Sequence, residues 1–218
     1  MSQTRVQLIE DGHVVAADLA SDAVTTAKVA DDAITIAKMS ATGTASSSTF
    51  LRGDGTFAEA GGGKILQVQS TTRTDTFSES LATGTLSADA LTVNITPSNA
   101  SNKIFLIAHV SMGLNNDNEV NWVFYKAGSL LTGAAGTAAG NRKPRTTVGD
   151  VRWTGTHHTF GGQYLDTAGG TSQITYAVKL GHSANGTKTV YLNRSHTDDN
   201  YAYDVRTQST LTAMEVEA

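Results

Sequence analysis

The sequence predicts an all-β protein: a thin, repeat-built shaft followed by a β-sandwich head. Three observations predict it. A ten-residue repeat runs over residues 9–39, and short apolar runs bounded by turn residues fill residues 64–218. The composition is rich in small polar residues, with 21 Gly, and only 17% of residues are charged, which suits short strands and tight turns rather than amphipathic helices.

The repeat fixes the shaft. In register from Ile9, the chain reads IEDGHVVAAD, LASDAVTTAK and VADDAITIAK, with Met39 opening a fourth decad. Position one holds Ile9, Leu19, Val29 and Met39, and position six holds Val14, Val24 and Ile34. So few large apolar groups cannot bury one another within a single chain, so copies of the chain must complete the packing. The expected structure is an intertwined trimer in which a strand and a turn repeat and those seven side chains meet at the axis. Three small apolar groups fill an axis without leaving a hole. A helical linker competes, because Ala is abundant. Against it, β-branched residues are frequent, and a period of ten matches neither coiled-coil repeat.

After the decads, SATGTASSST is small and polar, and FLRGDGTFAEAGGG follows. Phe50, Leu51 and Phe57 flank a Gly53-Asp54-Gly55 turn, which reads as a hairpin-like staple, and Gly61 to Gly63 read as a neck. The Arg52-Gly53-Asp54 triplet is therefore read as a junction turn rather than an adhesion signal. The stretches LASDAVTTAKVADDAITIAKM and ATGTASSSTFLRGDGTFAEAGGG, spanning residues 19–63, resemble bacteriophage fibre proteins, tail fibres in particular. In this sequence the decads are few and Phe57 stands where Trp is common in that family.

The resemblance implies a virion component on the tail or capsid surface, made in the host cytoplasm. Residues 1–18 would attach it to another virion protein, residues 19–63 would form the shaft and Gly-rich neck, and residues 64–218 the head. The head would meet a host-surface glycan or protein receptor. Two alternatives stand beside this: a structural capsid or tail decoration that binds no receptor, and a small polysaccharide hydrolase.

In the head, strands are expected at 65–69, 91–95, 103–112, 120–126, 159–165, 172–180, 188–194 and 209–217. Residues 104–108 are apolar in succession, which predicts cover on both faces, by the second sheet and by a subunit contact. A jelly roll on a threefold shaft is similar, at the level of fold, to the trimeric heads of the tumour-necrosis-factor and C1q type. Residues 128–145 read as a long exposed loop.

A net charge of −4 with no long basic run excludes a nucleic-acid partner. Cysteine is absent, so disulfides, thiolate metal sites and a Cys nucleophile are excluded. No apolar run reaches about 18 residues, so membrane insertion is not expected, and the first residues lack a secretory profile.

No catalytic, metal or cofactor site is expected. Ser195, His196 and Asp198 hold the types of a hydrolytic triad, but in sequence adjacency rather than from separate segments. Asp166, Asp198, Asp199 and Asp204 fix no pair of glycosidase carboxylates. Adjacent His157 and His158 point to opposite faces of a strand. Receptor contact is expected instead from two loops: Asn115, Asn116, Asp117 and Asn118, and Asp198, Asp199, Tyr201 and Tyr203. The second mixes carboxylates and amides with aromatic rings, the combination that stacks on sugar faces and bonds their hydroxyls. Trp122 and Trp153 are expected in the core or an interface.

Overall fold

A computed structural model describes residues 20, 21, 23–31, 33–59, 64–202 and 204–218. Ile9, Val14, Leu19, the expected anchoring segment 1–18 and Tyr203 lie outside the described residues. The chain divides into two compact units, Met1–Gly62 and Gly63–Ala218.

In the first unit, Thr26–Lys28 and Ile36–Lys38 are 3-10 helices placed ten residues apart. Their hydrogen bonds repeat with the same period. Ala23 N and Ala33 N donate to Ala20 O and Ala30 O at 3.0 Å, and Lys28 N and Lys38 N donate to Thr25 O and Thr35 O at 2.9 Å. Each lysine also folds back, with Lys28 Nζ 2.6 Å from Ala23 O and Lys38 Nζ 2.9 Å from Ala33 O. The repeat is therefore conformational as well as chemical, but its unit is a turn plus one 3-10 turn, not the expected strand and turn. The lysine at position ten satisfies the carbonyl of position five, which a neighbouring strand would otherwise have to do.

Val24 and Ile34 are 60% and 59% exposed, while Val29 and Met39 are half-buried. Beyond the decads, β1 (Thr49–Leu51) and β2 (Phe57–Glu59) form the expected hairpin, with Leu51 opposite Phe57. Gly55 supplies the left-handed turn position (φ +80), its N–H donates to Arg52 O at 2.9 Å, and Asp54 Oδ1 accepts from Thr56 N at 3.0 Å. The aspartate of the Arg-Gly-Asp triplet thus closes its own turn.

The second unit holds β3 (Ile65–Arg73), β4 (Phe77–Leu81), β5 (Asp89–Ile95), β6 (Lys103–Leu114), β7 (Asn118–Lys126) and β8 (Ser129–Leu130). They are followed by β9 (Thr147–Val151), β10 (His157–Thr167), β11 (Ile174–His182), β12 (Lys188–Leu192) and β13 (Ser209–Val216). One antiparallel sheet runs β3-β13-β6-β10, with β12 and β4 continuing from the C-terminal part of β6. The other runs β5-β11-β7-β9, with β8 beside the end of β7. Strands passing between two sheets in this order make a jelly-roll sandwich, with β3 and β10 at edges of one sheet and β5 and β9 at edges of the other.

Alternation sets the core. Ile104, Leu106, Ala108, Val110, Met112 and Leu114 of β6 face Val120, Trp122 and Phe124 of β7 and Tyr176, Val178 and Leu180 of β11, all fully buried. Trp122 and Phe124 meet edge to face, with ring centroids 4.9 Å apart. Phe105 and Ile107, on the other face of β6, are only half-buried. Within one chain, then, residues 104–108 are covered on one face, because period-two geometry sends alternate side chains outward. Register lines up an outward apolar row across four strands: Val68, Met214, Phe105 and Leu165. Val68 and Leu165 are each 52% exposed.

Among the described residues one acidic side chain, Glu215 of β13, is fully buried. Its carboxylate accepts from Gln67 Nε2 (2.6 Å), Ser98 N (2.7 Å), Ser98 Oγ (2.8 Å) and Asn102 Nδ2 (2.7 Å). Burial alone would raise its pKa, but these donors outweigh burial and hold it at about 2. Glu215 thereby ties β3 and the β5–β6 connection to the last strand.

Candidate functional site

The sandwich has two distinct ends. Ile65, Lys103 and Val216 pair at one, and Gly113 and His157 pair at the other. Twelve residues of β6 separate them by about 36 Å. Among the connections at the end away from Ile65 are residues 115–117 between β6 and β7, residues 152–156 between β9 and β10, and residues 193–208 between β12 and β13.

Backbone bonds join the second of these connections to the third: His196 N and Thr197 N donate to Thr154 O at 2.9 and 3.3 Å. Asn193, left-handed at φ +64 and buried, anchors the base of the third. Its Nδ2 donates to Arg73 O and Asp75 O, both at 2.9 Å, and its Oδ1 accepts from Ser209 Oγ at 2.6 Å. Asparagine tolerates that backbone region and offers both donors and an acceptor, which few residues combine. The strand expected over 188–194 therefore ends at Leu192, where Asn193 turns the chain.

The predicted contact residues divide. Asn115 Oδ1 accepts from Thr189 N at 2.8 Å, Asn118 Oδ1 accepts from Glu119 N at 2.9 Å, and Asn116 is half-buried, so only Asp117 of that group is fully presented. Asp198 bonds Arg206 through Nη2 at 2.7 Å and Nε at 3.1 Å, with Arg194 at 3.7 Å, and these partners hold its carboxyl below the usual range. It staples its loop. Asp199 and Tyr201 are exposed, Tyr201 at 58%.

Trp122 is core, as expected, but Trp153 is 74% exposed on the 152–156 connection. A hollow of about 370 Å³ lies beside it, walled by Asp150, Arg152, Thr156 and His158. Sequence reasoning placed Trp153 with the hydrophobic groups because indoles usually are. Its neighbours Arg152 and Asp150 instead bond each other at 2.6 Å and leave the ring in solvent. His157, half-buried, is pushed down in pKa by burial and by His158 beside it.

The triad-like residues do not form a relay. Ser195 Oγ donates to Thr197 O, His196 Nδ1 bonds Tyr191 OH at 2.8 Å, and Asp198 belongs to Arg206. Asp166 sits at the opposite end from Asp198, opposite Ile104, and its carboxylate bonds Lys126 Nζ and Tyr176 OH, each at 2.7 Å. Among the described residues no helix is long and apolar enough to cross a membrane.

No protein-family model matches the chain, and no curated protein matches it. Among solved structures it is similar to a chain titled "Structure of infectious bursal disease virus Gx strain", at 15% identity and a TM-score of 0.34. The match covers 73% of this chain, which spans 41% of the length of that one. Likeness at that score says nothing further about function.

Proposed function

We propose that this chain is a homotrimeric bacteriophage fibre protein, a non-enzymatic virion component whose head contacts the host-cell surface. The observation that carries the reading is the shaft repeat. Two successive decads fold alike and leave Val24 and Ile34 exposed to the same extent, at 60% and 59%. Those two and Val29 line one open groove of about 550 Å³. Apolar side chains displayed with a fixed period are what lateral copies of the same chain cover. In the head, the outward row of Val68, Met214, Phe105 and Leu165 offers a second surface for those copies.

The host-facing role rests on the grouping of Asp117, Trp153, Asp199 and Tyr201 at the end of the sandwich away from Ile65. Exposed aromatic rings among amides and carboxylates suit shallow contact with a glycan, and three such sites on one head gain strength by multivalency. The competing reading, a purely structural decoration, draws on the internal bonds of Asn115 and Asp198, which spend those side chains within the loops.

Two measurements test this. Native mass spectrometry of the full chain should give three copies at low micromolar concentration, and a stable monomer would overturn the fibre reading. Adsorption competition separates the two roles for the head: purified protein should reduce phage adsorption to host cells, and an unchanged adsorption rate at saturation would leave only the structural role.

A further inference from the structure

Residues 128–145, read from composition as a long exposed loop, are largely exposed and carry local structure. Ser129–Leu130 pairs with β7, Thr132–Ala134 is a 3-10 helix, and Ala139 bridges to Arg142. With Thr83, Gly84, Asn121, His182 and Ser183, this segment lines an open cavity of about 440 Å³. The size falls in the ordinary range of small-molecule sites, larger than one inorganic ion needs.

Charge distinguishes this cavity from the other hollows. Arg142, Lys143 and Arg145 all line it, and no carboxylate does. None of the three takes part in an ion pair among the described residues, although eight such pairs occur elsewhere in a chain of net charge −4. Arg145 is held in place by neutral acceptors alone: Asn121 Oδ1 at 2.6 Å, Pro144 O at 2.8 Å and Gly84 O at 3.1 Å. Burial pushes its pKa down, the signature of a cation taken from water without a countercharge.

The fold makes room for this arrangement. Asn121 is 96% buried, at 4% exposure, and sits opposite Gly181 on β11. A Cβ at Gly181 would come within 2.6 Å of Asn121 Oδ1, the atom that holds the guanidinium. Asn121 Nδ2 donates to Ser183 Oγ over a long 3.4 Å, which leaves the second amide hydrogen and the hydroxyl hydrogen able to bond a guest.

We propose that this cavity binds an anionic saccharide unit, its acid group on Arg142, Lys143 and Arg145 and its hydroxyls on Asn121, Ser183 and Asn141. A rigidly held guanidinium recognises a planar or tetrahedral oxyanion in bidentate fashion, and the flanking ammonium adds charge. Carboxylate and phosphate share this chemistry, so a uronic acid and a sugar phosphate are both within the class. That such a unit belongs to a host-surface polymer rests on the adsorption reading above; the site itself does not.

The test is calorimetric titration of the full chain with glucuronate, glucose 6-phosphate and glucose in separate arms. At least one acidic sugar should bind ten-fold or more tightly than glucose, and the better arm assigns the acid. The double variant Arg142→Ala/Lys143→Ala should weaken that binding at least ten-fold. Both positions are exposed, so an unchanged melting temperature shows that the variant is folded. Equal affinity for glucose and both acids, no binding at all, or binding untouched in the folded variant would overturn the site. If the sugar binds but leaves adsorption unaffected, the site stands and only its link to the host surface falls.

Discussion

Replacing Glu215 by Gln tests the buried carboxylate with almost no change in shape. Oε1 accepts three bonds, from Ser98 N, Ser98 Oγ and Asn102 Nδ2, which the glutamine oxygen can retain. Oε2 accepts Gln67 Nε2 at 2.6 Å, and an amide nitrogen there would set donor against donor. One charge-assisted bond is lost outright and three are weakened, which amounts to about 3 kcal/mol at neutral pH. For a head of this size that lowers the melting temperature by roughly 6–12 °C.

The pH dependence adds a second reading. A carboxyl whose folded pKa lies at about 2, below its ordinary 4.5, contributes stability that is complete above 4.5 and is lost as pH falls through 2. The gap between wild type and Glu215→Gln should therefore be full at pH 7 and shrink steadily below pH 4.5. Thermal melts followed by circular dichroism at pH 7 and pH 3 would measure it. Equal melting temperatures at pH 7, or a gap that does not narrow in acid, would refute the argument.

Four further outcomes are expected. Val24→Ser combined with Ile34→Ser removes two apolar groups worth roughly 1.5–3 kcal/mol each on burial, so analytical ultracentrifugation should show assembly failing at concentrations where the wild type is associated. Gly162→Ala places a methyl 2.5 Å from Trp122 Cη2 and should cost about 1–3 kcal/mol in urea denaturation. Trp153→Ala, at a ring 74% exposed, should change stability by less than about 0.5 kcal/mol. Asp198→Asn frees Arg206, so limited proteolysis within residues 198–206 should quicken while the melting temperature stays nearly constant.

The sandwich was legible because its strands advertise themselves. All eight apolar runs read in the head are strands, since alternation and turn residues act locally. Three strands escaped notice. Phe77–Leu81 (FSESL) and Thr147–Val151 (TVGDV) have five residues each and few apolar groups, and Ser129–Leu130 has only two residues; each is held by hydrogen bonds to a neighbouring strand, β12 or β7. The decads were legible as a repeat but not as 3-10 turns, because the lysine fold-back that closes each turn leaves no mark in hydropathy.

The candidate loops were found from composition, yet composition does not record which polar groups are already engaged. Asn115 and Asp198 look like Asp117 and Asp199 on paper and differ only in what the fold brings beside them. The cationic cavity was hidden for the opposite reason. Arg142, Lys143 and Arg145 read as scattered charge until Asn121 and Gly84, distant in sequence, arrive at the same guanidinium.

The first and last strands of the head are neighbours, with Glu217 N donating to Lys64 O at 2.9 Å. Cargo fused after Ala218, whether a fluorophore, an affinity handle or a second binding module, would emerge at the Ile65 end of the sandwich, about 36 Å from the Trp153 loop. Such a fusion can be immobilised or labelled without shading that loop, whereas the same cargo spliced into residues 152–156 would block it.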